Sequence, residues 1–188
     1  MPRTLLTESL HNVSPAAMSR PNAKKAIPSS DKQSVYTHPL VPAFRSLEIP
    51  FTSAPERPEL IRLDRSCKNG NFVVICIHGK EAAHVALLVV YPIKTVAPAQ
   101  FETLRLLNHL NDALPGGGFR LDFSDGEITF RHCIHLGDAP LDPESVRCAL
   151  ALVCYAVDHA LPQLASVALG QCTYAEALAR HNRQGGDN

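Results

Sequence analysis

Between residues 101 and 136 the chain reads FETLRLLNHLNDALPGGGFRLDFSDGEITFRHCIHL, which gathers His109, His132, Cys133 and His135 among several acids. Side chains of these types can hold a metal, relay protons or attack a carbonyl, provided they converge. The stretch EITFRHCIHL alternates apolar and polar residues, the pattern of a half-buried strand. On a strand, residues three apart point to opposite faces. His132 therefore turns inward with Ile128 and Phe130, while His135 turns outward with Thr129, Arg131 and Cys133. The two imidazoles diverge and cannot share one metal ion. Cys133 and His135 share a face, but two residues along a strand span about 7 Å, too far for a thiolate–imidazolium contact.

Other candidates fare no better. Asp122, Asp125 and Glu127 fall on the polar side and turn of the same hairpin, where water solvates them. No two cysteines stand in C-x-x-C spacing, and HGKEAAH lacks the first glycine and the Ser/Thr of a phosphate loop. PGGGF leads into a strand rather than a helix, so it reads as a helix stop. Asn108 and Asn111 are neighbours on one helix face, suited to capping its last turn or lying against the next loop. No catalytic residue, metal ligand or cofactor-binding residue is expected.

The elements that carry these residues follow from periodicity and turn chemistry. LIRLDR, FVVICIHG and HVALLVVY read as three antiparallel strands, the first two joined at Asn69-Gly70 and the last two by the polar link KEAA, with two-residue loops at Asn69-Gly70 and Lys80-Glu81 taken to assign their faces. Pro98 opens a helix whose Phe101, Leu104, Leu107, Leu110 and Leu114 share its buried stripe. FRLDF and EITFRHCIHL form a second hairpin around Asp125-Gly126, with Phe119, Leu121, Phe123 and Ile134 also facing inward. Asp142-Pro143 caps the last long helix, Pro162 should kink or break it, and Gly170 should stop it. Residues 149–157, ALALVCYAV, are apolar all round, which predicts burial on more than one side. Thr173-x-x-Glu176 opens a short terminal helix. The order β-β-β-α-β-β-α predicts an α+β fold, a mostly antiparallel five-stranded sheet with helices on one face.

Bulk properties bound the function. The 188 residues, 45% of them hydrophobic, suffice for one ordinary core. Formal net charge is +0, with 7 bases against 4 acids up to Pro58 and 11 against 14 beyond it. The folded part is mildly acidic, so neither nucleic acid nor a membrane is an expected partner. The leader has no continuous apolar run of the kind that directs export, and a cytoplasmic protein is expected. Cys67, Cys76, Cys133, Cys148, Cys154 and Cys172 lie in apolar segments and read as buried thiols. Nine of 15 prolines precede Glu59 and all 10 glycines follow it. Residues 1–40 read as a disordered Pro/Ser-rich tail, 41–58 as an irregular segment with room for a short helix, 59–181 as the folded domain, and 182–188 as a second tail.

The second and third strands are apolar on both faces. Ile61, Leu63, Phe72, Val74, Cys76, Val85, Leu87 and Val89 form one set. Val73, Ile75, Ile77, Ala86, Leu88 and Val90 form the other, and helices on a single side cannot cover it. Two covers are open: residues 36–51 folding over that face, or another chain. Six such side chains would expose on the order of 400–600 Å².

From about residue 60 to 179 the chain resembles the YbjN family of bacterial proteins, described as "putative sensory transduction regulators". The resemblance lies in LLNHLN, GFRLDFSDGEITFRHCIHL and VDHALPQLASVALG. It implies a fold similar to type III secretion chaperones, a protein-binding or regulatory role, a homodimer, and no enzymatic activity. The expectation is a non-enzymatic module that binds a protein or peptide through Val73, Ile75, Ile77, Ala86, Leu88 and Val90, or by strand addition at an open sheet edge. The rival is a small hydrolase or transferase that uses Cys133 or a histidine.

Overall fold

The computed structural model describes residues 36–79 and 82–185. Most of the tail expected over 1–40, and the Lys80-Glu81 turn, lie outside these residues. A short helix α1 (Val41–Ser46) leads into β1 (Thr52–Ala54), β2 (Arg57–Ser66), β3 (Asn71–Ile77) and β4 (His84–Lys94). Then follow α2 (Gln100–Asp112), β5 (Gly118–Leu121), β6 (Glu127–His135), α3 (Pro143–Ala168) and α4 (Tyr174–Gly185). The fold is α+β, and the sheet is antiparallel throughout in the order β1-β2-β3-β4-β6-β5. It has six strands, not five. The extra strand is the short β1 between Pro50 and Pro55, too brief to show a period, which pairs Thr52 with Arg62.

The first two hairpins depart from their expected registers by two residues. Ser66 pairs with Asn71, leaving four residues in the loop where two were expected. Asn69 is diverted to α3: its backbone N–H donates to Asp158 Oδ1 at 2.7 Å and its Nδ2 to the Asp158 carbonyl at 3.0 Å. A Cβ on Gly70 would lie 2.8 Å from Leu161 Cδ2, so the loop packs tightly on the helix. Between β3 and β4, Ile75 pairs with Leu88 rather than Ala86. Because side chains alternate with period two, a slip of two leaves every residue on its expected face.

The inner face carries the core. Ile61, Leu63, Val74, Cys76, Val85, Leu87 and Val89 are at most 1% exposed and pack with the buried side of α3. The sequence placed Phe101 and Leu104 in that core, but they are 67% and 40% exposed; Thr103, Leu106 and Leu107 form the buried stripe of α2. Phe123 is 49% exposed because β5 ends at Leu121 and the chain turns, with Gly126 N–H donating to the Asp122 carbonyl at 2.8 Å. The long helix is buried on more than one side, against the sheet and against α1 and α2, although within residues 149–157 Ala151 and Tyr155 face outward. By length and composition alone α3 could cross a membrane, yet its ten buried residues belong to this core. All six cysteines are unpaired; Cys76 and Cys172 are buried as expected, while Cys148 is exposed.

Pro162 neither breaks nor ends α3, which continues to Ala168. A proline has no N–H for the carbonyl four residues earlier, here that of Asp158. Asn69 supplies the missing donor, and the Tyr91 hydroxyl donates to the neighbouring Val157 carbonyl at 2.7 Å. The helix then stops as its sequence predicts. Asp142 accepts from Ser145 N–H at its start, and Gly170, at φ +71°, sends its N–H to the Val167 carbonyl at its end. The Thr173–Glu176 capping box opens α4, which runs to Gly185, into the expected second tail.

Residues 36–51 do not cover the outer face. Leu40, Ala43 and Phe44 are at most 2% exposed and join the core beside α3, on the helical side. Tyr36 is held there by His78, hydroxyl to Nδ1 at 2.6 Å. The folded part thus begins before residue 40, inside the expected tail.

Candidate functional site: the outer sheet face and its glycine margin

The strands place the second apolar set as a grid. One row runs Leu60, Ile77, Ala86, Cys133, and the next Arg62, Ile75, Leu88, Arg131. Asp64 stands opposite Val73, and Val90 opposite Thr129. Val73, Ile75, Ile77 and Leu88 are half-buried, Ala86 is buried, and Val90 is 44% exposed. None of the four half-buried residues, nor Val90, belongs to the core cluster. Their partial burial comes from neighbours in the sheet, which shield flat-lying side chains from water. The exposed apolar area is accordingly roughly 150–300 Å², smaller than the sequence alone suggested. Polar groups bound the grid: the Arg62–Asp64 ion pair (2.7 Å) on one side, Arg131, Thr129 and Arg120 on the other.

Both sheet edges are guarded. At β5, Asn111 reaches from α2 to the edge strand: its Oδ1 accepts from Phe119 N–H at 2.7 Å, and its Nδ2 donates to the Phe119 carbonyl at 3.1 Å. It thereby occupies the main-chain groups that an added strand would need. The sequence suited Asn111 to capping the last turn of α2 or lying against the following loop; its side chain instead bonds to the strand just beyond. The other edge is β1, three residues long, irregular in register and flanked by prolines.

Of the reactive candidates of the opening stretch, His132, Cys133 and His135 sit at the β5–β6 margin, while His109 lies on α2 with its ring centre 6.0 Å from that of Tyr174. His132 faces inward and His135 outward, as strand parity predicts. Yet both border one cavity of about 420 Å³, together with Arg120, Arg131 and Cys133. Parity along a strand does not reveal this, because the cavity lies where the chain leaves the sheet through Gly116 and Gly117. Burial holds the His132 pKa below the usual imidazole range, and its buried Nδ1 has no hydrogen-bond partner. No hydrogen bond joins Cys133 to either histidine among the described residues, so no nucleophile–base pair is assembled. Asp122 instead accepts from Ser124, and Asp125 pairs with Lys94. His84 and His135 face each other across the strands with ring centres 6.4 Å apart. No cluster of three or more potential metal ligands occurs among the described residues.

These features define an α+β domain with all its helices on one side and a half-shielded apolar sheet face on the other. No family model matches the chain, and no curated protein does. Among solved structures the chain is similar to "YbjN, a putative transcription regulator from E. coli", with a TM-score of 0.49 and 11% identity, covering 65% of this chain and 89% of that one. The likeness is one of fold, and no residue role is taken from it.

Proposed function

We propose that this chain is a non-enzymatic binding module of regulatory type, which self-associates through the outer face of its sheet. The observation behind this reading is that Val73, Ile75, Ile77, Leu88 and Val90 remain outside the core while the 36–51 segment packs on the opposite side. Guarded edges disfavour strand addition, which leaves the face as the contact surface.

Its size sets the strength. Six strands at about 4.8 Å spacing, some 20 Å long, present on the order of 600 Å², below the ~800 Å² per partner of a standard stable interface. The apolar portion is worth roughly 4–8 kcal/mol gross per protomer, similar to the cost of association. The reading is a weak, reversible homodimer that a partner polypeptide of similar chemistry could displace. Sedimentation velocity from 1 to 100 µM, as probe concentrations, should show a monomer–dimer equilibrium with Kd of about 10 µM, near −7 kcal/mol. Ile75→Asp should weaken it at least about tenfold, because a carboxylate would be desolvated at the centre of the grid. A monomer at every concentration, or a dimer indifferent to Ile75→Asp, would remove the basis for this function.

A further inference from the structure

We infer that the cavity at the β5–β6 margin binds a small phosphate-bearing ligand, held by Arg131 and Arg120 against the glycine arch at 116–118. The first observation is that these two guanidinium groups are left unanswered. Arg57, Arg62, Arg105 and Arg147 each pair with a carboxylate, while Arg45, Arg65 and Arg180 form no ion pair among the described residues and, unlike Arg120 and Arg131, stand outside the cavity. Arg120 and Arg131 pair with none among the described residues, and no acid borders the cavity. Arg131 Nε is buried without any hydrogen-bond partner. Arg131 as a whole is half-buried, and its one buried N–H without an acceptor carries a cost that an incoming acceptor would relieve.

The second observation is the shape. Gly118 stands directly opposite Arg131 and Arg120 opposite Thr129, so the two arginines are diagonal neighbours on one face. Diagonal neighbours lie about 7–8 Å apart, close enough for two guanidinium forks to meet on one tetrahedral oxyanion. Gly118 projects no side chain between them. Gly117 is pinned at φ +80°, and a Cβ there would meet the Arg131 carbonyl oxygen and Phe130 Cζ, each at 2.9 Å. The arch therefore lies close against β6 and walls the cavity. The hollow, of about 420 Å³, is open to solvent and has room for a phosphate group or a small phosphate ester, and its short extent suits a discrete anion better than a length of acidic peptide. His135 and the Cys133 thiol add further donors on the same wall.

The test is a titration of the full chain with sodium phosphate and, separately, with ribose 5-phosphate, at constant ionic strength balanced by chloride. It is followed by amide NMR and calorimetry. Saturable binding should move the Gly117 and Gly118 resonances, and the tighter of the two probes distinguishes an ester from the free ion. Arg131→Gln should weaken binding at least about tenfold. Arg120→Gln, at an exposed position that does not endanger folding, should weaken it several-fold. Arg62→Gln, on the same face but already paired, should leave it within about twofold. Ile75→Asp protein should still bind, which separates this site from self-association. Absence of saturable binding by either probe, or equal losses in Arg62→Gln and Arg120→Gln, would overturn the assignment.

Discussion

Pro162 offers a quantitative check on how the long helix is held. An interior proline costs a helix about 3 kcal/mol relative to alanine, through the missing N–H and the ring clash. Here the carbonyl left without a helical donor, that of Asp158, takes one from Asn69 Nδ2 at 3.0 Å, and the same nitrogen lies 3.2 Å from Asp158 Oδ2. Asn69→Ala removes both of these bonds but keeps the backbone N–H to Asp158 Oδ1. At this exposed loop the loss should be about 1–1.5 kcal/mol. Pro162→Ala gives the Asp158 carbonyl an ordinary helical donor. In that background Asn69→Ala should cost only about 0.5 kcal/mol, a coupling of nearly 1 kcal/mol. Urea unfolding followed by far-ultraviolet circular dichroism resolves this, since 1 kcal/mol shifts the midpoint by about 0.5 M at a typical slope. An Asn69→Ala penalty of the same size in both backgrounds would refute the view that the loop compensates for the proline.

Two further outcomes follow from the same geometry. His38 is 3% exposed, and burial, then the neighbouring His78, depress its pKa to about 4. The unfolded chain, with an imidazole near 6.5, takes up the proton first, so stability is complete above about pH 6.5 and falls as pH drops toward 4. The loss by pH 4.5 should be roughly 2.5 kcal/mol by linkage, and His38→Asn, which keeps an acceptor for the Leu40 N–H, should remove most of that pH dependence; equal dependence in both proteins would contradict it. Gly126→Ala should cost about 2 kcal/mol or more, since Gly126 has φ +76° and a Cβ would fall 2.3 Å from the Thr95 carbonyl oxygen. A loss below about 0.5 kcal/mol in the same urea assay would show that the turn does not lie against Thr95, whose N–H donates to the Gly126 carbonyl at 2.8 Å.

The fold was largely legible because its signals are local. Alternation along EITFRHCIHL assigned His132 and His135 to opposite faces, and that holds. The apolar sets on β3 and β4 also survived, although both connections were read as too short, because the error was an even number of residues. Capping at Asp142, Gly170 and Thr173 was readable for the same reason: each motif is complete within a few residues. The hydrophobic stripe of α2 was misread because Phe101 and Leu104 fit the helical period but lie off the side that meets the sheet.

The candidate site was only half legible. Which residues form the outer face follows from period-two geometry, a property of the chain alone. How much of that face water reaches depends on cross-strand neighbours, and whether residues 36–51 cover it depends on their docking beside α3 instead. The cavity owes its existence to missing side chains at Gly116, Gly117 and Gly118 facing a strand many residues later, which no periodicity records. Likewise the rescue of Pro162 comes from a residue 93 positions before it, through a contact to Asp158 across 89 positions. By itself the sequence determined element types, strand faces and helix ends, because each is settled by neighbours along the chain. Tertiary structure alone decided what covers what and where space remains, because both depend on groups brought together from distant positions.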